Sequence, residues 1–128
     1  MTTPNHFKYT NTHEWLNTSE TPMQMGITDH AQSLLGDIVF IELPELGQQV
    51  QAGQAIGVLE SVKAASDFYA PITGEIVAIN EVLKDQPELI NQAPYTKAWI
   101  CQIVASQADD ANKLLDAGAY LHEIKEDA

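Results

Sequence analysis

Short apolar runs of strand length fill the middle of the chain, and glycines separate them. Residues 38–41, 55–59 and 99–104 are rich in β-branched or aromatic side chains. Residues 23–27 alternate between apolar and polar, as a half-buried strand does, and residues 7–17 have the composition of two short strands. The pattern therefore predicts a mainly β protein.

Helical signals are confined to one short segment before these strands and to the C-terminal end. Thr28, or the aspartate after it, can cap a helix that ends near Gly36. Residues 116–125 predict a terminal helix with Leu121 and Ile124 on its inner side.

Two further segments have weaker signals. Residues 81–94 predict a loop with one helical turn, and residues 106–110 have the serine and aspartates of a helix start. We expect the C-terminal helices to pack on one side of the strand-rich region.

The chain has 128 residues and is predicted to form one domain. We divide it into N-terminal strands and a short helix (residues 1–36), a core of strands (37–104) and C-terminal helices (105–128). No apolar run approaches the roughly 18 residues of a membrane span, so no membrane contact is expected. The first residues lack a signal-peptide core. A cytoplasmic monomer is expected, with a processed organellar form as an open alternative.

Eighteen acidic residues against six lysines give a net charge of −12. This balance makes nucleic-acid binding improbable, because phosphate contacts need clustered cations. Acidic faces can steer the chain to basic partners, and they can equally serve solubility alone.

Independent catalysis has little support in the sequence. The four histidines show no metal-ligand spacing, and there is no phosphate loop or nucleophile elbow. Cys101 alternates with Trp99 and Ile103 on one predicted strand face, so a buried thiol is favoured over a nucleophile. We expect neither a metal site nor catalytic residues.

Lys63 is the one residue whose position indicates chemistry. It is the only basic residue between Lys8 and Lys84, and it lies between two strand-like runs. A hairpin would present its amine to large partners, and acylation would replace the charge with an amide. An ordinary surface lysine is the alternative reading of the residue taken alone.

The arrangement around this lysine resembles the lipoyl and biotinyl carrier fold, a flattened barrel of two facing antiparallel sheets with the modified lysine at a hairpin tip. Biotin carriers normally flank that lysine with methionines, whereas Val62 and Ala64 occupy those places here. Glu60 and Ser61 complete a motif that is similar to a lipoylation site.

Further blocks resemble the glycine cleavage system H protein family, in the order of that family and over about residues 7 to 125. They are residues 9–15, 26–31, 35–40, 43–44, 70–76, 80, 87–91 and 94–95. One departure is Ala98, which stands where the family usually has glycine before tryptophan. The local turn there is put in question, because alanine disfavours a positive backbone angle.

The resemblance implies a non-catalytic carrier with lipoate in amide linkage to Lys63. A pyridoxal-phosphate glycine decarboxylase would load the aminomethyl group of glycine onto it, and a folate-dependent aminomethyltransferase would remove that group. Dihydrolipoyl dehydrogenase would then restore the disulfide. Enzymes that attach lipoate are further implied partners.

The resemblance also implies a cleft that shelters the loaded arm, with Glu14 and Asp67 at acidic positions and Thr12 as a hydroxyl neighbour. A carboxylate there would favour the ammonium form of the cargo. The simpler readings are a solvated strand carboxylate for Glu14 and a turn cap for Asp67.

Three functions stay open on the sequence: an H protein, a lipoyl module or lipoyl-relay homologue of other complexes, and an unmodified binding domain. A lipoyl module of a 2-oxoacid dehydrogenase is normally shorter and followed by a Pro/Ala-rich linker, which this chain lacks.

Overall fold

The computed structural model describes residues 3–107 and 109–127, so the predicted outer limits at residues 1 and 128 lie outside it. Nine strands and four α-helices follow one another within these ranges. The strands are β1 Lys8–Tyr9, β2 Glu14–Asn17, β3 Met23–Ile27, β4 Ile38–Glu42, β5 Gln49–Val50, β6 Ala55–Ser61, β7 Ala65–Tyr69, β8 Gly74–Ile79 and β9 Cys101–Ala105. The helices are α1 Asp29–Leu35, α2 Val82–Asp85, α3 Leu89–Gln92 and α4 Ala117–Asp127, and a 3-10 helix covers Asp110–Lys113.

The strands form two antiparallel sheets. The larger sheet has the order β1-β2-β3-β9-β8-β5, and the smaller one has the order β4-β6-β7. Leu16, Met25 and Ile103 of the larger sheet share one buried cluster with Leu59 and Phe68 of the smaller sheet. The predicted sandwich of two facing sheets is thus confirmed, although neither sheet closes into a barrel among the described residues.

A second, aromatic cluster lies where the N-terminal strands meet α4. The ring of Phe7 stacks on Trp15 at 4.7 Å, and the ring of Tyr9 stacks on Tyr120 at 4.8 Å. The indole N–H of Trp15 donates to the carbonyl oxygen of Pro94 (2.9 Å). The C-terminal helix is therefore held by aromatic packing against β1 and β2.

The predicted start of α1 is correct in its detail. The Thr28 hydroxyl accepts a hydrogen bond from the N–H of Ala31 (3.2 Å), which makes Thr28 the N-cap, and Gly36 follows the last turn at φ +83°. That positive φ suits glycine, because other residues seldom adopt it.

Three local predictions need correction. Residues 81–94 contain two short helices, α2 and α3, whose Leu83 and Ile90 are fully buried against the main core. The last strand begins at Cys101, two residues later than expected. Leu121 is 45% exposed, and Tyr120 takes the inner side of α4 instead.

Ala98 is accommodated without backbone strain. It is buried at 2% exposure, and among the described residues His13 is the only non-glycine with a positive φ. The turn before Trp99 therefore does not require glycine. The thiol of Cys101 is buried, as predicted, and burial raises its pKa to about 12.

Gly57 tests how closely strands β4, β6 and β7 of the smaller sheet pack together. A Cβ there would lie 2.2 Å from Phe68 Cζ and 2.4 Å from the Glu42 carbonyl oxygen. We expect Gly57→Ala to lower the free energy of unfolding by about 3 kcal/mol, because the Glu42 backbone that the added methyl group would meet cannot move aside. Denaturant melts measure this, with Gly118→Ala as the matched control.

At Gly118 the added methyl would meet only Asp116 Oδ1, at 3.6 Å. This variant should leave stability unchanged or raise it by up to about 1 kcal/mol, since alanine favours a helix. Equal stability of the two variants would contradict the close approach at Gly57.

Candidate functional site

Lys63 lies at the tip of the β6–β7 hairpin, in a tight turn that Ser61 closes. The N–H of Ser61 donates to the carbonyl oxygen of Ala64 (2.8 Å). The Ser61 hydroxyl accepts from the N–H groups of Lys63 and Ala64, both at 3.1 Å, and donates to the Ala64 carbonyl oxygen (3.2 Å). One side chain thus occupies most of the polar groups of the turn, which limits its conformations.

The turn is also fixed to the body of the protein. The N–H of Val62 donates to the carbonyl oxygen of Asp37 (3.0 Å), in the connection between α1 and β4. Asn91 of α3 braces the same connection: its side chain donates to the carbonyl oxygen of Gly36 (2.9 Å) and accepts from the N–H of Ile38 (2.9 Å). The exposed tip is therefore a supported structure rather than a free loop.

The Lys63 side chain passes over the end of α1. A Cβ on Gly36 would lie 2.9 Å from Lys63 Cε and 3.5 Å from Nζ, so a larger residue there would displace the flexible end of the lysine side chain. The carbonyl end of a helix favours a cation, and α1 has no basic residue of its own in the last turn.

A cleft of about 120 Å³ includes Leu35, the residue before Gly36, and lies between α1, the turn before β2 and strands β6 and β7. Six of its eleven lining residues are apolar, and two carry carboxylates, Glu14 and Asp67. No lysine or arginine lines it among the described residues. The lining residues are Thr12, His13, Glu14, Ile27, Ala31, Leu34, Leu35, Leu59, Ser66, Asp67 and Phe68.

Glu14 is buried at 1% exposure, and its carboxylate is held by donors from both sides. The hydroxyls of Thr10 and Thr12 donate to Oε1 at 2.6 Å and 2.5 Å. The N–H of Tyr69, on β7, donates to Oε2 (3.2 Å). The Thr10 hydroxyl also accepts from the N–H of Glu14 (3.0 Å), which fixes the turn against the strand.

Burial raises the pKa of the Glu14 carboxyl above its ordinary 4.5, because the charged form loses its hydration. The hydrogen bonds from Thr10, Thr12 and Tyr69 oppose that rise. The balance leaves a carboxylate that a nearby cation would stabilise, since a positive charge would supply the compensation that water cannot.

The structure brings the predicted residues to two adjoining places. Lys63, Glu60, Ser61, Val62 and Ala64 form the hairpin tip, with Val62 68% exposed. Thr12, Glu14 and Asp67 line the cleft. Thr12 lies in the turn before β2, and its hydroxyl reaches Glu14 from that turn.

Sequence reasoning missed Thr10, Gly36 and His13. Thr10 contacts Glu14 because the chain reverses between them, with His13 at φ +75°. The only signal for Thr10 was its place in a Thr-x-Thr-x-Glu pattern. Nothing in the sequence indicated that Gly36 would underlie Lys63.

No group of three or more metal-ligating side chains is found within the described parts of the chain. None of the described helices is long and apolar enough to cross a membrane.

Two facing sheets with one lysine at a braced hairpin tip define a protein of the lipoyl- and biotinyl-carrier class. A model of the glycine cleavage H-protein family matches residues 7–127. The chain is 52% identical to the glycine cleavage system H protein of Legionella pneumophila (strain Corby), over 96% of this chain and 98% of that one. It is 54% identical to that of Sodalis glossinidius, over 97% and 95% of the two chains.

A solved structure agrees with these relatives. The crystal structure of a glycine cleavage system H protein from Mycobacterium marinum has a TM-score of 0.88 and 36% identity, and the match covers 96% of this chain and 99% of that one. The chain belongs to the glycine cleavage H-protein family. As a member it is a lipoyl carrier of the glycine cleavage system, with lipoate bound covalently to a lysine.

The raised pKa of Glu14 predicts a pH dependence of stability. Between pH 4.5 and its folded pKa, the folded state holds a proton that the unfolded state has lost. The contribution of Glu14 to stability is therefore complete below pH 4.5 and is lost as pH rises through the folded pKa.

We expect the unfolding free energy of the wild type, minus that of Glu14→Gln, to fall as pH rises above 4.5 and then to level off. Denaturant melts over a pH series measure the difference. The ¹³C carboxyl resonance missing from the variant identifies Glu14 and gives its midpoint. A midpoint at or below 4.5 would contradict the effect of burial.

Proposed function

We propose that Lys63 is the lysine to which this carrier's lipoate is attached, and that the cleft beside it shelters the loaded arm. The observation that carries the proposal is the display of Lys63 on a turn closed by Ser61 and fixed to Asp37. Attachment needs an amine that a second enzyme can reach at a defined position, and a braced tip meets both needs.

The residues around Lys63 suit a lipoyl group. The stem of the lysine lies on Gly36, one residue beyond Leu35, which lines the cleft. An acyl chain extended from the amine can follow the apolar residues of this lining. When bound, the lipoyl disulfide supplies the thiol and redox chemistry that accepts and releases the cargo.

Glu14 and Asp67 are proposed to hold the aminomethyl cargo in its ammonium form. The nitrogen lone pair can expel a thiolate, and protonation of that nitrogen blocks the route. A buried carboxylate with no lysine or arginine among the cleft residues favours the cation, and the cation in turn lowers the pKa of Glu14 again. Thr10 and Thr12 keep the carboxylate oriented toward β7.

The carrier is proposed to visit three active sites: a pyridoxal-phosphate glycine decarboxylase, a folate-dependent aminomethyltransferase and dihydrolipoyl dehydrogenase. Enzymes that attach lipoate are a fourth kind of partner. The net charge of −12 supports steering toward basic docking faces. In this proposal the chain catalyses none of the steps, and it works as a monomer in the bacterial cytoplasm; the bacterial sources of its relatives support that location.

The assignment of Lys63 is tested by intact mass and peptide mapping after expression with lipoate and a lipoate-attaching enzyme. We expect one lipoyl increment on the wild type, mapped to Lys63, and none on Lys63→Arg, because arginine keeps the charge but offers no acylable amine. Lys84→Arg, an equal change on an exposed lysine of α2, should keep the increment.

An increment on Lys63→Arg, or one mapped to another lysine, would reject Lys63 as the site. An unmodified wild type under these conditions would move the proposal to a binding domain without lipoate.

The sheltering role of Glu14 is tested on loaded protein. We expect Glu14→Gln to release the aminomethyl cargo to water on the order of tenfold faster, because a charged hydrogen-bond partner contributes about 1.5–3 kcal/mol. Trapping the released formaldehyde over time gives the rate. Glu60→Gln removes the same charge at the exposed base of the tip, and it should release at the wild-type rate.

A Glu14→Gln rate equal to that of Glu60→Gln would sink the sheltering role. It would leave the attachment at Lys63 untouched.

A further inference from the structure

Tyr120 connects the C-terminal helix to the cleft. It is 1% exposed, and its ring stacks on Tyr9 at 4.8 Å with an interplanar angle of 13°. Its hydroxyl oxygen lies 2.7 Å from the hydroxyl oxygen of Thr28 and 2.8 Å from Nδ1 of His13. A residue of α4 thus makes hydrogen bonds at two places that are far from it in sequence.

Both of these places belong to the cleft's walls. Thr28 is the N-cap of α1, which supplies Ala31, Leu34 and Leu35 to one wall. His13, in the turn before β2, lines the cleft next to Thr12 and Glu14 and forms a second wall.

The two walls also meet in the backbone near the same point. The N–H of Thr28 donates to the carbonyl oxygen of His13 (3.0 Å), and His13 has a φ of +75°. The Tyr120 hydroxyl therefore reaches the point at which α1 and the turn before β2 meet.

At least two arrangements of the hydrogens satisfy these contacts. Either the Thr28 hydroxyl donates to Tyr120 while Tyr120 donates to His13 Nδ1, or the His13 N–H donates to Tyr120 while Tyr120 donates to Thr28. In both, the Thr28 oxygen is free to accept from the N–H of Ala31. Removing the phenol hydroxyl takes a partner from the buried Thr28 hydroxyl in either case.

We infer that Tyr120 is a positioning residue that fixes the separation of the cleft's walls, and thereby how well the cleft excludes water. Through this one hydroxyl, α4 controls the shelter without contacting the cargo. The inference deepens the proposed function and rests on it for its consequence, whereas the positioning itself can be measured on protein that carries no lipoate.

The aromatic pair supplies a matched comparison. Tyr120→Phe and Tyr9→Phe each remove one hydroxyl from the same stacked rings, but the Tyr9 hydroxyl donates to the carbonyl oxygen of Pro4 (2.5 Å), not to a cleft wall. On unmodified protein, we expect Tyr120→Phe to speed amide exchange at the start of α1, including Ala31, by about threefold to tenfold relative to Tyr9→Phe.

On loaded protein, Tyr120→Phe should release the aminomethyl cargo about threefold to tenfold faster than Tyr9→Phe, with lipoylation of both variants at the wild-type rate. Lipoylation at the hairpin tip is a readout that general loosening would lower in both.

Equal exchange at α1 in the two variants would overturn the positioning role, whatever the cargo does. Faster exchange with equal cargo release would overturn its consequence for the shelter. If Glu14→Gln does not change the rate of cargo release, the sheltering role of the carboxylate is rejected. The exchange comparison would still test the positioning role of Tyr120.

Discussion

A carboxylate removed from water must find hydrogen-bond donors within the protein. The buried Glu14 finds them in two separate segments, and the contacts between these segments depend on it. Its two oxygens take their hydrogen bonds from opposite sides, the threonine hydroxyls of the N-terminal turn and the backbone of β7. The N-terminal turn is continuous with the six-stranded sheet, and β7 belongs to the three-stranded one. One side chain therefore joins the β1–β2 end of the larger sheet to β7, an edge strand of the smaller sheet.

The cleft is lined by carboxylates but by no lysine or arginine among the described residues. The donors satisfy Glu14 in the absence of cargo, so the fold is complete before loading. They do not remove its negative charge, and the cleft contains another carboxylate in Asp67. An uncharged amine entering this space would gain little, whereas an ammonium would gain from both groups. Under the proposed function, selectivity for the protonated cargo would therefore be a property of the folded scaffold rather than of a flexible loop.

Much of this architecture can be predicted from short segments of the sequence. Alternating and β-branched runs located most strands, Thr28 and Gly36 marked the ends of α1, and isolation in the chain singled out Lys63. Contacts between distant segments were not accessible in the same way. Thr10 reaches Glu14 only because the turn at His13 reverses the chain, and Gly36 reaches Lys63 only because the hairpin folds back onto α1. Leu121 was assigned inward by spacing alone, but the stack with Tyr9 turned the neighbouring Tyr120 inward instead. Residue patterns indicate which face of a helix is apolar, but not which distant residue packs against that face.

The resting place of Lys63 has a kinetic meaning as well. Among the described residues, ion pairs involve Lys84 and Lys113, each with an acid three positions before it in the chain, and none involves Lys63. Despite eighteen acidic residues in the chain, the one amine displayed at the tip lies against a glycine and a helix end. Under the proposed function, an enzyme that attaches lipoate would meet this amine without first having to break a salt bridge. Surface acidity can thus attract basic enzymes to the protein, while the amine of Lys63 makes no salt bridge with the described residues.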